Sequence, residues 1–171
     1  MRVMPETRTL FLIRHAKSSW KEAGLDDMER PLNNRGKTDA PRMGKHLAKY
    51  KLKPEVFISS PAERAYKTAV KICRALNYKK SDIRIDERIY STGAMGLFEV
   101  LRNIDDTFKT AAVVGHNPDI THLVNKLSNS EFENVPTCAV AVIRFKADSW
   151  NRIQTGKGKL VDYFIPKNLP V

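Results

Sequence analysis

The sequence predicts an α/β fold, a three-layer α/β/α sandwich around a mainly parallel sheet, with no large lid subdomain. Three observations carry this. Short apolar runs, Leu10-Phe11-Leu12-Ile13, Val56-Phe57-Ile58 and Ala111-Ala112-Val113-Val114, read as buried strands that stop abruptly at polar residues. Segments with helical spacing of apolar positions separate them. The last two strand-like segments, Val135–Phe145 and Leu160–Ile165, follow one another without a helix between, which predicts an antiparallel addition near the carboxyl end.

Thr9–Arg14 is the first strand. After a polar loop, Asn34–Tyr50 has helical spacing through Ala40, Met43 and Leu47. Pro41 would remove a backbone bond in mid-helix, so the regular helix is expected to begin near Thr38 after a looser turn. Pro54 opens the strand Val56–Ser59. Ser60-Pro61-Ala62-Glu63 then has the pattern of a helix start, with Ser60 as N-cap, Pro61 as first helical residue and Glu63 closing a capping box. That helix runs through Ala65, Thr68, Ala69, Ile72 and Leu76. Ile83–Ile89 is a weak strand or extended loop, and Ala94–Ile104 a helix whose Leu97, Val100, Leu101 and Ile104 share a face. Thr110–Val114 is a buried strand that breaks at Gly115-His116-Asn117-Pro118, where Asn117 can cap a helix starting at Pro118. No repeat, linker or low-complexity segment divides the 171 residues, which are expected to form a single domain, 1–171.

Composition narrows the function classes. A hydrophobic content of 42% with 29% charged residues describes a globular chain, and no apolar run approaches the ~20 residues of a membrane span. The opening residues, Met1 to Arg8, contain no apolar signal core, and Cys73 and Cys138 sit in apolar settings without metal-ligand spacing. Both features suit a cytoplasmic protein with reduced thiols. Thirty basic against nineteen acidic residues give a formal charge of +11, which favours an anionic partner. The lysines are scattered and no nucleic-acid motif accompanies them, so a solvated basic surface is the plain account, steering of a phosphorylated or acidic substrate is the alternative, and neither nucleic acid nor membrane is expected as a partner.

Three strand ends share one design: Arg14-His15, Ser59-Ser60 leading to Arg64, and Gly115-His116. In a right-handed parallel sheet every strand-to-helix junction falls on the same edge, so these segments can converge on one pocket. Two arginines, two histidines and helix amino termini are what a phosphoryl group requires: guanidinium forks, further donors and dipoles directed at negative charge. Lys17 and Ser18, just after the first histidine, can add donors. His46 and His122 fall on helices, where a packing or surface role is the plain reading.

The chain resembles the histidine phosphatase superfamily, with its phosphoglycerate mutase-like fold, and within it the short phosphohistidine phosphatase branch. The matching segments are Leu12-Ile13-Arg14-His15-Ala16-Lys17-Ser18, Arg30-Pro31-Leu32-Asn33 with Arg35-Gly36, Ser59-Ser60-Pro61-Ala62-Glu63-Arg64-Ala65 with Thr68-Ala69, and Gly115-His116-Asn117-Pro118. The resemblance implies that His15 is a nucleophile that forms a phosphohistidine intermediate. Arg14, Arg64 and His116 would hold the phosphoryl oxygens, with Ser18 as a further phosphate ligand and no metal or other cofactor. In larger members a glutamate protonates the leaving oxygen, which makes Glu87 the candidate general acid and Asp119 a second. An imidazole leaving from a phosphorus–nitrogen bond can depart protonated and needs less help.

Three other readings remain at this level. Cys138 to Arg144 meets the Cys-x5-Arg spacing of cysteine-dependent phosphatases, yet the stretch has no glycine and alternates like a buried strand. A small-metabolite phosphatase, or a phosphoprotein-binding module without turnover, would use the same fold. Only about twenty residues separate Ala16 from the first helix and about sixteen the second from the third, so the mouth is expected to be open and suited to a phosphate displayed on a protein or to a sizeable metabolite.

Overall fold

The computed structural model describes residues 4–170; Met1–Val3, part of the stretch read for a targeting segment, lie outside the described residues. Strands β1 (Thr7–Arg14), β2 (Val56–Ser59), β3 (Ile83–Ile85), β4 (Thr110–Gly115), β5 (Val140–Lys146) and β6 (Lys159–Phe164) form one sheet. Its order is β3-β2-β4-β1-β5-β6. The first four strands in that order are mutually parallel, β5 is antiparallel to β1, and β6 is antiparallel to β5. The parallel core with an antiparallel carboxyl-terminal addition is the arrangement the element order predicts.

Alternation along β1 divides the core in two. Phe11 and Ile13 point to one face and pack with Met43 and Leu47 of α1 (Asn34–Ala48) and Ile72 of α2 (Glu63–Ala75). Leu10 and Leu12 point to the other, against Leu97 and Leu101 of α4 (Gly93–Arg102) and Ile120 and Leu123 of α5 (Asp119–Ser128). The short α3 (Arg88–Ser91) adds Ile89 to that second core. The structure is thus a three-layer α/β/α sandwich. Between β1 and α1 lies only a loop with one 3-10 turn, Asp27–Glu29, and no lid subdomain.

Four local expectations are corrected. Helix α1 starts at Asn34 and runs through Pro41 rather than beginning near Thr38. Asn33 caps it, its side-chain oxygen accepting from Gly36 N at 2.9 Å, and that supports a first turn from which Pro41 subtracts one later bond. Helix α2 starts at Glu63, and Ser60 does not form a capping box: Glu63 pairs with Lys67 instead, and the Ser60 hydroxyl accepts from Ala62 N at 3.2 Å. Helix α5 starts at Asp119, one residue later than expected; Asn117 still caps, accepting from Thr121 N at 3.2 Å. The strand expected from Val135 begins only at Val140. Pro136 has no N–H to donate to a ladder, and Cys138 takes a left-handed φ of 63°, so Val135–Ala139 forms a buried turn across the end of β1.

Glycine sets two close approaches. A Cβ at Gly36 would overlap the Lys17 carbonyl, so glycine lets α1 start against the chain that leaves β1. At Gly44 a Cβ would lie 2.8 Å from Ala75 Cβ and 3.0 Å from Ile72 Cα, so glycine sets the spacing of α1 on α2. Gly44→Ala should therefore destabilise the protein by ~1–3 kcal/mol through overpacking, read as a lower urea midpoint. An unchanged or raised midpoint would show that the two helices separate freely.

Candidate active site

The order β2-β4-β1 sets three carboxyl-terminal strand ends side by side. Arg14 is in register with Gly115, and Ser59 with Val114. One step beyond the strands the ladder continues: His15 N donates to Gly115 O at 3.0 Å and Ser60 N to Val114 O at 3.1 Å. The buried turn adds a third tie, with Cys138 N donating to the Arg14 and His15 carbonyls. Thr68 of α2 adds a fourth. Its hydroxyl accepts from Ala16 N at 2.9 Å and donates to Arg64 O at 2.7 Å, so the chain after His15 is fastened to the helix that carries Arg64.

His15 and His116 are both buried, with ring centroids 5.2 Å apart. His15 Nδ1 lies 2.7 Å from the Ala16 carbonyl. A carbonyl only accepts, so Nδ1 carries the proton and Nε2 keeps its lone pair. Burial pushes the His15 imidazole down to about 4, and the Arg64, Arg14 and Arg30 guanidiniums act in the same direction. Burial, together with His15 and Arg64, brings His116 to about 3. His116 Nε2 meets the Ser60 hydroxyl at 2.7 Å. Ser60, read from sequence as a helix cap, thus orients the second histidine.

The arginines are held in different ways. Arg14 Nη1 donates to the Val135 carbonyl at 2.9 Å. Arg64 donates to Asp27 through both terminal nitrogens, at 2.6 Å to the backbone carbonyl and 2.9 Å to Oδ2. Arg30 donates to Asp27 Oδ1 at 3.0 Å and to the Ser18 hydroxyl at 2.9 Å, which leaves the buried Ser18 beside a guanidinium. The Tyr90 hydroxyl donates to Asp27 Oδ2 at 2.9 Å, and its ring stands edge-on to His116 at 5.6 Å. Burial raises the Asp27 carboxyl, but the hydrogen bonds from Tyr90, Arg64 and Arg30 outweigh it and hold it at about 2. Four buried side-chain nitrogens among the described residues lack a hydrogen-bond partner: Arg8 Nε, Arg14 Nε, Arg64 Nε and His116 Nδ1. Three of the four belong to the groups around His15.

The structure therefore assembles His15, His116, Arg14 and Arg64, with Ser18 beside Arg30. Glu87 is an exposed residue immediately before α3, and Asp119 lies half-buried in the first turn of α5, its carboxyl raised by burial. His46 packs on Phe164, and His122 lines a cavity between α4 and α5, both away from the site. Cys138 is fully buried, and burial pushes its thiol up to about 12, so the Cys-x5-Arg spacing carries no thiolate chemistry. No group of three or more His, Cys, Asp or Glu side chains that could hold a metal is assembled among the described residues. Sequence reasoning did not single out Asp27 or Tyr90. Asp27 sits three residues before Arg30, a helical-turn spacing that was the available signal for their pairing.

A neutral imidazole beside unpartnered guanidinium and imidazole nitrogens is an arrangement that can receive a phosphoryl group. The chain belongs to the histidine phosphatase superfamily (branch 1), whose family model matches residues 10–95, and it is a phosphatase. The fold is shared with the SixA protein of Agrobacterium tumefaciens, at a TM-score of 0.79 and 23% identity over 93% of this chain and 98% of that one. The protein histidine phosphatase SixA complexed with tungstate aligns at a TM-score of 0.78 and 22% identity, covering 94% and 98%. Among curated relatives, an uncharacterized protein of Mycobacterium tuberculosis (strain H37Rv) is 28% identical over 165 residues, 91% of this chain and 100% of its own length. An uncharacterized chloroplastic protein of Arabidopsis thaliana is 28% identical over 152 residues, 84% and 69%.

The lowered His15 value has a consequence for stability. Between its ordinary value near 6.5 and about 4, the unfolded chain binds a proton that folded His15 refuses. Stability thus falls as pH drops through that window and is regained as pH rises. Urea midpoints measured from pH 7 to pH 4 should decline less in His15→Gln than in the parent. Identical slopes in the two proteins would mean that His15 is not held neutral by the fold.

Proposed function

We propose that this chain, acting as a single domain over residues 1–171, hydrolyses phosphohistidine on a protein substrate through a covalent phosphohistidine on His15. The observation that supports this most strongly is the set of partnerless buried nitrogens on Arg14, Arg64 and His116 beside a histidine whose tautomer leaves Nε2 free. Buried donors of this kind call for acceptors, and the equatorial oxygens of a phosphoryl group can supply them.

The His15 Nε2 lone pair attacks phosphorus in line, forming the Nε2–P bond as the bond to the leaving nitrogen breaks. Positive charge develops on His15, and the Nδ1–H bond to the Ala16 carbonyl strengthens with it. The Ser60 hydroxyl donates to His116 Nε2, which leaves Nδ1–H as a donor to the phosphoryl oxygens together with Arg14 and Arg64. Water then attacks phosphorus, the Nε2–P electrons return to the imidazole, and phosphate departs. The scheme calls for no metal.

The substrate's imidazole leaves in protonated form, so a phosphoramidate needs no protein acid; Glu87 remains the donor proposed for an ester substrate. Without a lid over the mouth, the phosphoryl group can arrive on the surface of another protein. Trp20, 74% exposed and stacked on Arg30 at 3.4 Å, extends the rim on which such a partner would rest. No helix among the described residues is long and apolar enough to cross a membrane, and the two free buried cysteines suit the cytoplasm as the proposed location.

Rapid quenching with a labelled phosphohistidine peptide should trap an acid-labile, base-stable phosphoenzyme that is absent in His15→Ala. Arg64→Ala should reduce turnover ~10²-fold to 10³-fold, the usual loss for a donor to developing charge. Turnover without that intermediate would sink the proposal, and a higher kcat/KM for a sugar phosphate would move the substrate to small metabolites.

A further inference from the structure

Asp27 is placed unusually for a carboxylate next to a phosphate site. A bare aspartate there would repel the substrate, yet this one is engaged from three sides. Arg64 reaches it from α2, Arg30 from the loop and Tyr90 from α3. Oδ1 accepts from Arg30, and Oδ2 accepts from both Arg64 and Tyr90. The Arg64 guanidinium, only 5% exposed, spends both terminal nitrogens on Asp27 and keeps Nε unpartnered.

We infer that Asp27 is a positioning residue for the phosphatase reaction: it grips the terminal nitrogens of Arg64, so that the Nε edge faces the phosphoryl oxygens, and Tyr90 fixes Asp27 in that grip. The inference rests on the proposed role of Arg64 in holding phosphate. The opposite possibility is that Asp27 is an internal anion that substrate must displace. Two features oppose that. One of the two Arg64 acceptors is the Asp27 backbone carbonyl, which no side-chain rotation removes. The loop that carries it is fastened as well, with Ser18 bridged to Leu32, Ser19 N bonded to Pro31 O at 2.8 Å and Asn33 N to Lys17 O at 2.9 Å.

A guanidinium gripped at one edge needs no reorganisation when charge builds on phosphorus, so the benefit falls on the transition state. Tyr90 acts through Asp27, and removing both should cost no more than removing Asp27 alone.

The test compares Asp27→Ala, Asp27→Asn, Tyr90→Phe and the Asp27→Ala/Tyr90→Phe double variant with the parent. Three quantities are read: kcat and KM for an aryl phosphate, orthovanadate affinity by calorimetry, and thermal midpoint. Asp27→Ala should lower kcat ~10-fold to 100-fold, in line with loss of a hydrogen bond to a charged group, while KM changes far less. Vanadate, which mimics the transition state, should bind more weakly by a similar factor. Asp27→Asn keeps one carbonyl oxygen for Arg64 and should recover much of the loss. Tyr90→Phe should cost a smaller factor, and the double variant should match Asp27→Ala. If Asp27→Ala fails to fold, Asp27→Asn and Tyr90→Phe decide the matter by the same kcat and vanadate readouts.

Tighter vanadate binding with retained kcat in the Asp27 variants would overturn the inference in favour of a displaced internal anion. Additive losses in the double variant would overturn the Tyr90 link. A parent enzyme whose vanadate affinity is untouched by Arg64→Ala would instead overturn the site reading on which the inference rests.

Discussion

The parallel ladder between β2, β4 and β1 is the constraint on which the remainder of the site depends. It brings Arg14, Ser59 and Gly115 to a common edge, and two bonds beyond the strands, from His15 N and Ser60 N, carry that alignment into the candidate site. His15 is therefore set by backbone geometry before any side chain contributes. Because residues far apart in sequence are aligned by adjacent hydrogen bonds, a shift of register in either pair would move one histidine relative to the other. The apolar runs that fill both faces of β1 and β4 make such a shift costly, since each residue would exchange one core for the other.

Charge follows from that placement. Burying two imidazoles among three guanidiniums would be unfavourable if either imidazole were charged. Both are held neutral, first by burial and then by the arginines. A field of that sign favours an anion and keeps the His15 Nε2 lone pair available, so in the proposed reaction attraction and reactivity have one origin. Asp27 offsets part of the positive charge. At 48% side-chain exposure it does so in contact with solvent, where its repulsion of an incoming phosphate is screened.

Much of this was legible in the chain, and the exceptions share a cause. The strand runs, the helix faces through Met43, Ile72 and Leu101, and the three polar strand ends follow from periodicity and from the handedness of parallel crossovers. Tertiary demand hid the rest. Ser60 has the local pattern of an N-cap, but its hydroxyl is claimed by a histidine fifty-six residues away, and local pattern carries no record of that claim. Val135–Ala139 alternates like a strand because it is buried, not because it pairs: it forms the turn whose carbonyl holds Arg14 and whose Cys138 amide closes on His15. Asp27 looked like one more acidic residue in a polar loop. Its role appears only when α2, α3 and that loop meet.

The absence of a lid among the described elements fits the chemistry that the fixed donors allow. Enzymes that close over a substrate use the motion to exclude water and to complete the catalytic set. Here the groups of the proposed site are held without closure: backbone bonds hold His15, Ser60 orients His116, and Asp27 grips Arg64. In the proposed reaction closure would add only water exclusion, which hydrolysis of the intermediate does not require and which an imidazole leaving group does not require in the first step. A fixed rim without a lid is what the proposed substrate, a phosphoryl group attached to a folded surface, requires. The same rigidity puts the burden of selectivity on what stands around the mouth, where Trp20 lies over Arg30 and Tyr90 over His116.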